Sequence, residues 1–127
     1  DERDIIKVDT MKEMKTLFID IDGTLFKHKG TFSNIAMSES TLLPNVREKM
    51  NEWCSKEYKI ILTTARRESL REKTEQDLSK LGIPYDNLIM GISKGQRIII
   101  NDKRPTGEET AFAINVERDE GLGEVNI

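Results

Sequence analysis

The chain has one cysteine, Cys54, and one histidine, His28, in 127 residues. A single thiol forms no internal disulfide and no cysteine-rich zinc site, and a lone imidazole argues against a histidine-based metal centre. Proline and glycine are also scarce, at 3 and 8, which argues against wholesale disorder. No apolar run approaches the roughly 18 residues of a membrane-spanning helix, and no basic-then-apolar signal opens the chain. Neither charge dominates: 20 Lys and Arg face 23 Asp and Glu, for a net charge of −3. That slight acidity counts against a nucleic-acid partner, because neutralised phosphates supply most nonspecific affinity. These absences lead to the expectation of a reduced, cytoplasmic setting with no membrane partner. Any metal must be held mainly by oxygen.

What is present comes in dense clusters. The length suits one domain, with a core at about 14–116 and terminal extensions at 1–13 and 117–127. Leu17-Phe18-Ile19 leads into Asp20-Ile21-Asp22-Gly23-Thr24, which predicts a strand buried on both faces as in parallel sheets. Residues 24–42 form a loop or lid. Pro44 suits a first helical turn, and Val46, Met50, Trp53 and Cys54 then make one apolar helix face. Tyr58–Thr63 is a second strand. Ser69 and Glu72 have capping-box spacing, Leu70, Leu78 and Leu81 supply the stripe of a second helix, and Gly82 ends it. Asn87–Met90, Arg97–Asn101 and Ala111–Val116 are further strands. This alternation is that of an open α/β sheet, in which ligands bind beyond the carboxyl ends of the strands.

Polar residues gather at those ends. Asp20 and Asp22 stand two apart, so strand alternation sends both carboxylates to one side. They repel unless a cation or a shared proton relieves them. Gly23 lets the backbone turn away, Thr63 and Thr64 close the second strand, and Asn101 and Asp102 close the fourth. An isolated aspartate at a strand end is more often a turn residue than a ligand. Three polar strand ends at one rim reverse that balance, and an oxygen-rich set suits Mg²⁺ better than zinc.

Phe18-Ile19-Asp20-Ile21-Asp22-Gly23-Thr24-Leu25 matches the hhhDxDGT motif, and the chain here resembles the haloacid dehalogenase (HAD) superfamily of aspartate-nucleophile phosphotransferases. Ile61-Leu62-Thr63-Thr64-Ala65-Arg66 is similar to its second motif, and Ile98-Ile99-Ile100-Asn101-Asp102 to its acidic fourth. The resemblance implies an α/β, HAD-like (Rossmann-type) three-layer fold with a mainly parallel central sheet. It implies that Asp20 attacks phosphorus and that Asp22 serves as acid and then base. Mg²⁺ would be held by Asp20, the Asp22 backbone carbonyl and Asp102, with Asn101 as the alternative ligand. Thr64, preferred over Thr63, would hold the phosphoryl group along with Gly23, Thr24, Ala65 and Arg66. Lys94 is the positional candidate for the neutralising cation, with Arg97 and Lys103 as alternatives.

Several residues have a simpler reading. Arg66, Arg67 and Arg71 fit a charged helix entrance, Trp53 and Cys54 fit the core, and His28 fits an exposed loop. Phe26 and Phe32 cover the site or anchor the lid. The Gly91–Gln96 connection reaches about 20 Å at roughly 3.4 Å per residue. Three strand spacings come to roughly 14 Å, so the link is tight and holds no crossover helix.

In this superfamily caps are inserted after the first motif or after the second strand–helix unit, and neither stretch here is long enough for one. A capless site needs a large substrate or a neighbouring subunit, as in a homo-oligomer, to exclude water. The expected activity is Mg²⁺-dependent hydrolysis of a phosphate monoester on a small organic phosphate such as a sugar phosphate. The alternatives are a nucleotide or polynucleotide-end phosphatase, and a non-catalytic HAD-like or receiver-like phospho-binding module.

Overall fold

A computed structural model of the chain describes residues 14–127. The leading extension expected at 1–13 lies outside the described residues. Strands β1 (Thr16–Asp20), β2 (Lys59–Thr63) and β3 (Asn87–Ile89) form a parallel sheet in the order β1-β2-β3. In register, Asp20 stands opposite Thr63, and Thr63 opposite Ile89. All three strands therefore end at one rim.

Helix α1 (Phe32–Met37) lies in the lid, α2 (Val46–Ser55) joins β1 to β2, and α3 (Arg71–Lys80) joins β2 to β3. Right-handed crossovers between strands in this order put α2 and α3 on the same face of the sheet. That face is the core. Leu17, Ile19, Ile60, Leu62 and Leu88 from the strands pack with Val46, Met50, Trp53, Leu70 and Leu78. The expected α/β architecture with a parallel sheet is present, and no cap is evident among the described residues.

The details correct several expectations. β1 is buried on one face only: Leu17 and Ile19 are covered, while Phe18 is 56 % exposed. No layer covers Phe18 and Ile89 on the second face among the described residues. Pro44 precedes α2 rather than opening it, because Asn45 takes the N-cap position with φ 61°. The Ser69–Glu72 capping box does not form, since a 3-10 turn at Glu68–Leu70 precedes α3. Cys54 is exposed, one step round the helix from buried Trp53.

Residues Arg97–Asn101 and Ala111–Val116 form no strand. They are the two limbs of an open arm turned at Arg104–Glu108, where the Arg104 amide donates to the Glu108 carbonyl and Gly107 to Arg104. Ile98, Ile99, Ile100, Phe112 and Ile114 are exposed along it. The reason lies in the preceding link. Gly91 donates to the Arg66 carbonyl and Ile92 to the Thr64 carbonyl, which pins the link at the carboxyl rim. A strand parallel to β1 starts at the opposite rim, about 13 Å back along the strand axis. The lateral estimate above leaves that return out, and five steps reaching about 17 Å leave no slack to pass round the sheet face.

The segment 117–127, expected as an extension, sends two side chains into the core. Leu122 and Val125 are buried, and the Leu122 amide donates to the Pro44 carbonyl at 3.1 Å. No helix among the described residues is long and apolar enough to cross a membrane.

Candidate active site

β1 delivers Asp20 to the carboxyl rim, where its side chain is 43 % exposed. Arg97 Nη2 stands 3.8 Å from Asp20 Oδ1. Burial pushes the Asp20 carboxyl up from its ordinary value, opposed by Arg97 and the Ile21 hydrogen bond and assisted by the neighbouring Asp22. Of the three cations proposed from sequence, Arg97 is the one the fold brings to Asp20. Lys94 and Lys103 are exposed on the link and the arm.

Asp22 follows at the head of a tight turn. The Thr24, Leu25 and Phe26 amides all donate to the Ile21 carbonyl, and the Gly23 amide donates to Phe26. Gly23 has φ 90°, a conformation in which a Cβ would be strained, so this position requires glycine. The turn leaves Asp22 facing α3.

Arg66 meets it there. Its Nε donates to Oδ2 at 2.9 Å and its Nη2 to Oδ1 at 2.8 Å, a bidentate fork. Nη1 donates to the Thr74 hydroxyl at 3.0 Å, and the guanidinium lies 5.7 Å from the centre of the Phe26 ring. The Arg66 side chain is only 1 % exposed. The charged-entrance reading holds for Arg67 and Arg71, which are exposed or half-buried, but not for Arg66, which is a buried partner of the acid pair.

Thr64 is buried, and its hydroxyl accepts the Arg66 amide at 3.0 Å, leaving the hydroxyl proton for another acceptor. Thr63 stands opposite Asp20 in register. Ala65 bridges Thr64 and Arg66 and is half-buried, as is Thr24.

The lid is tied at its base and its side. Lys27 donates to Thr41 and Leu43 to Leu25. The Ser40 hydroxyl donates to Asp77 on α3 at 2.6 Å, and Lys73 Nζ donates to both oxygens of the same carboxylate. Lys29 Nζ donates to the Ser38 and Glu39 carbonyls. Burial pulls the Lys29 ammonium down from its ordinary value, with Lys73 as a second cause. Phe26 is fully buried and anchors the lid, while Phe32 is half exposed and covers nothing.

The metal set expected from sequence is not assembled. Arg97 approaches Asp20, and Asp102 is exposed on the arm, where its carbonyl accepts a hydrogen bond from Thr110, so these two carboxylates are not brought together beside the Asp22 carbonyl. Among the described residues, no three His, Cys, Asp or Glu side chains group into a metal site. The residues as arranged do not fit Mg²⁺. Asn101 also lies away from the pair, donating to the Thr110 hydroxyl at 2.6 Å.

A buried guanidinium gripping the second acid of a DxDGT turn gives the site its geometry, and comparison with known proteins gives it a family. The profile of the polynucleotide kinase PNKP phosphatase domain, a HAD branch, matches residues 14–103. The chain belongs to this family of phosphatase domains. Two solved structures are similar to it. One is a chain of the Pnkp1/Rnl/Hen1 complex, with TM-score 0.54 and 31 % identity over 67 % of this chain and 30 % of that one. The other is a chain of the Pnkp1/Rnl/Hen1 RNA repair complex, with TM-score 0.55 and 32 % identity over 65 % of this chain and 27 % of that one. The chain thus spans less than a third of either neighbour's length. No curated protein matches it. The resemblance to the HAD superfamily is borne out, and within that superfamily the polynucleotide branch is the one that matches.

Arg97, offered by the sequence as an alternative to Lys94, is the cation that stands at Asp20. Arg118 carried no signal in the sequence, since it lies in a segment without a motif, beyond the matched residues.

Proposed function

We propose that the chain is a phosphatase domain that removes the terminal phosphate of a polynucleotide, with Asp20 as nucleophile. The match to PNKP phosphatase domains across 14–103, with Asp20 and Asp22 at the carboxyl end of β1, carries this reading. It favours the polynucleotide alternative over the small sugar phosphate. The neighbours belong to an RNA repair complex, and we extend that setting to this chain: its substrate is a nucleic-acid end, and protein partners supply what lies outside it. The open site suits this substrate, since a polymer end reaches a surface carboxylate without a cap.

In the proposed reaction an Asp20 oxygen attacks phosphorus and the bond to the sugar oxygen breaks. Asp22 gives its proton to that oxygen, leaving an aspartyl phosphate on Asp20. Asp22 then takes a proton from water, whose oxygen attacks phosphorus and releases phosphate and the free Asp20 carboxylate. Arg66 occupies two of the four acceptor positions of the Asp22 carboxylate and fixes its plane, while the others remain for the proton. Arg97 offsets charge beside Asp20.

Mass spectrometry after rapid mixing with a phosphate-ended oligonucleotide and acid quench tests the covalent step. A phosphoryl adduct on the peptide containing Asp20, absent in Asp20→Asn, is expected. Turnover with no adduct at any mixing time contradicts a nucleophilic Asp20. The unassembled metal set favours a second reading, a non-catalytic phosphate-end binder. Binding of the oligonucleotide with no phosphate release under any metal condition would establish it.

A further inference from the structure

The C-terminal turn sits on the catalytic loop. The Asp119 amide donates to the Gly23 carbonyl at 2.9 Å, and the Asp119 carboxylate accepts the His28 amide at 2.8 Å. Asp119 adopts φ 64°, which turns the chain sharply at this contact. Gly121 and Leu122 fix the turn from behind, against Pro44. One residue earlier, the stem of Arg118 lies along Gly23. Its Cγ, Nε and Cδ are 3.2, 3.7 and 3.8 Å from the point where a Cβ on that glycine would stand. The missing side chain at Gly23 is therefore the groove in which Arg118 rests.

Arg118 is exposed, and among the described residues its guanidinium has no hydrogen-bond or ion-pair partner. A stem that lies along the glycine with an accessible planar fork suits an anionic oxygen pair. The cation that stands at the Asp20 carboxylate is Arg97, at 3.8 Å, which leaves Arg118 for a neighbouring group.

We propose that Arg118, held against Gly23 by the C-terminal turn, binds a backbone phosphodiester of the polynucleotide next to its terminal phosphate. This rests on the polynucleotide reading above. The residue lies outside the family match, which ends at 103. It makes the last segment of the chain part of the substrate surface.

The test uses the full chain and a phosphate-ended single-stranded oligonucleotide. Binding is followed by fluorescence anisotropy across a salt series, in an Asp20→Asn background that blocks turnover. Arg118→Ala is expected to weaken binding about tenfold and to flatten the log–log salt dependence by about 0.7, the value of one phosphate contact on a single strand. Arg118→Lys is expected to restore the slope and most of the affinity. With Asp20 intact, Arg118→Ala is expected to raise KM for the oligonucleotide more than for an aryl phosphate. An unchanged slope, or equal losses on both substrates, overturns the role of Arg118 while leaving the polynucleotide reading intact. Turnover of aryl phosphate without any oligonucleotide binding by the parent chain overturns both.

Discussion

At the scale of single residues, the account turns on three side chains within the DxDGT turn and its clamp. Burial raises the folded-state pKa of Asp20. Stability linked to that shift is present at low pH, where the carboxyl is protonated, and is lost as pH rises through the raised value. At neutral pH the ionised Asp20 therefore costs stability. Asp20→Asn is expected to raise the melting temperature in EDTA while lowering phosphate release at least a thousandfold, checked by thermal melts and a phosphate assay on one preparation. Arg66 works in the opposite direction. With its side chain 1 % exposed and Asp22 17 % exposed, Arg66→Ala leaves a largely covered carboxylate without its partner. Loss of about 3 kcal/mol in denaturant unfolding is expected, the low end for a broken buried pair. Arg66→Lys keeps the charge but not the fork, and is expected to recover only part of the loss.

At the scale of elements, the C-terminal segment and the arm behave in opposite ways. Leu122 and Val125 are buried against the start of α2, so Leu122→Ala is expected to cost about 2–5 kcal/mol in chemical denaturation. Gly121 has φ 84°, and a Cβ there would run into the Pro44 carbonyl. Gly121→Ala is therefore expected to destabilise through both strain and overlap, and to loosen Arg118 with it. Composition alone hid this packing, since Glu117–Glu124 reads as an acidic, turn-rich tail with one apolar residue. The strands and helices were legible because their apolar spacing is local: Leu17-Phe18-Ile19, Ile60-Ile61-Leu62, and Val46, Met50 and Trp53. The arm was not. Ile98-Ile99-Ile100 has the composition of a buried strand, but pairing depends on whether a pinned six-residue link can reach β1, and no local pattern carries that distance. Arg66 was singled out for the phosphoryl group and for the helix entrance, but its pairing with Asp22 was not legible, because a bidentate partner 44 positions away leaves no trace in the local sequence.

For the whole molecule, the sheet has an open second face at Phe18 and Ile89, an unpaired β1 edge among the described residues, and an exposed apolar arm carrying Asp102. A chain of net charge −3 sets the accessible cations Arg97 and Arg118 beside the catalytic turn, while the Arg66 charge is buried and matched by Asp22. The measurement that tests the central claim most directly is phosphate release from a terminally phosphorylated oligonucleotide and from a sugar phosphate, side by side, by the wild-type chain and Asp20→Asn with Mg²⁺. The account predicts kcat/KM at least tenfold higher on the oligonucleotide and activity that disappears with Asp20. Preference for the sugar phosphate, or release that survives in Asp20→Asn, would contradict it.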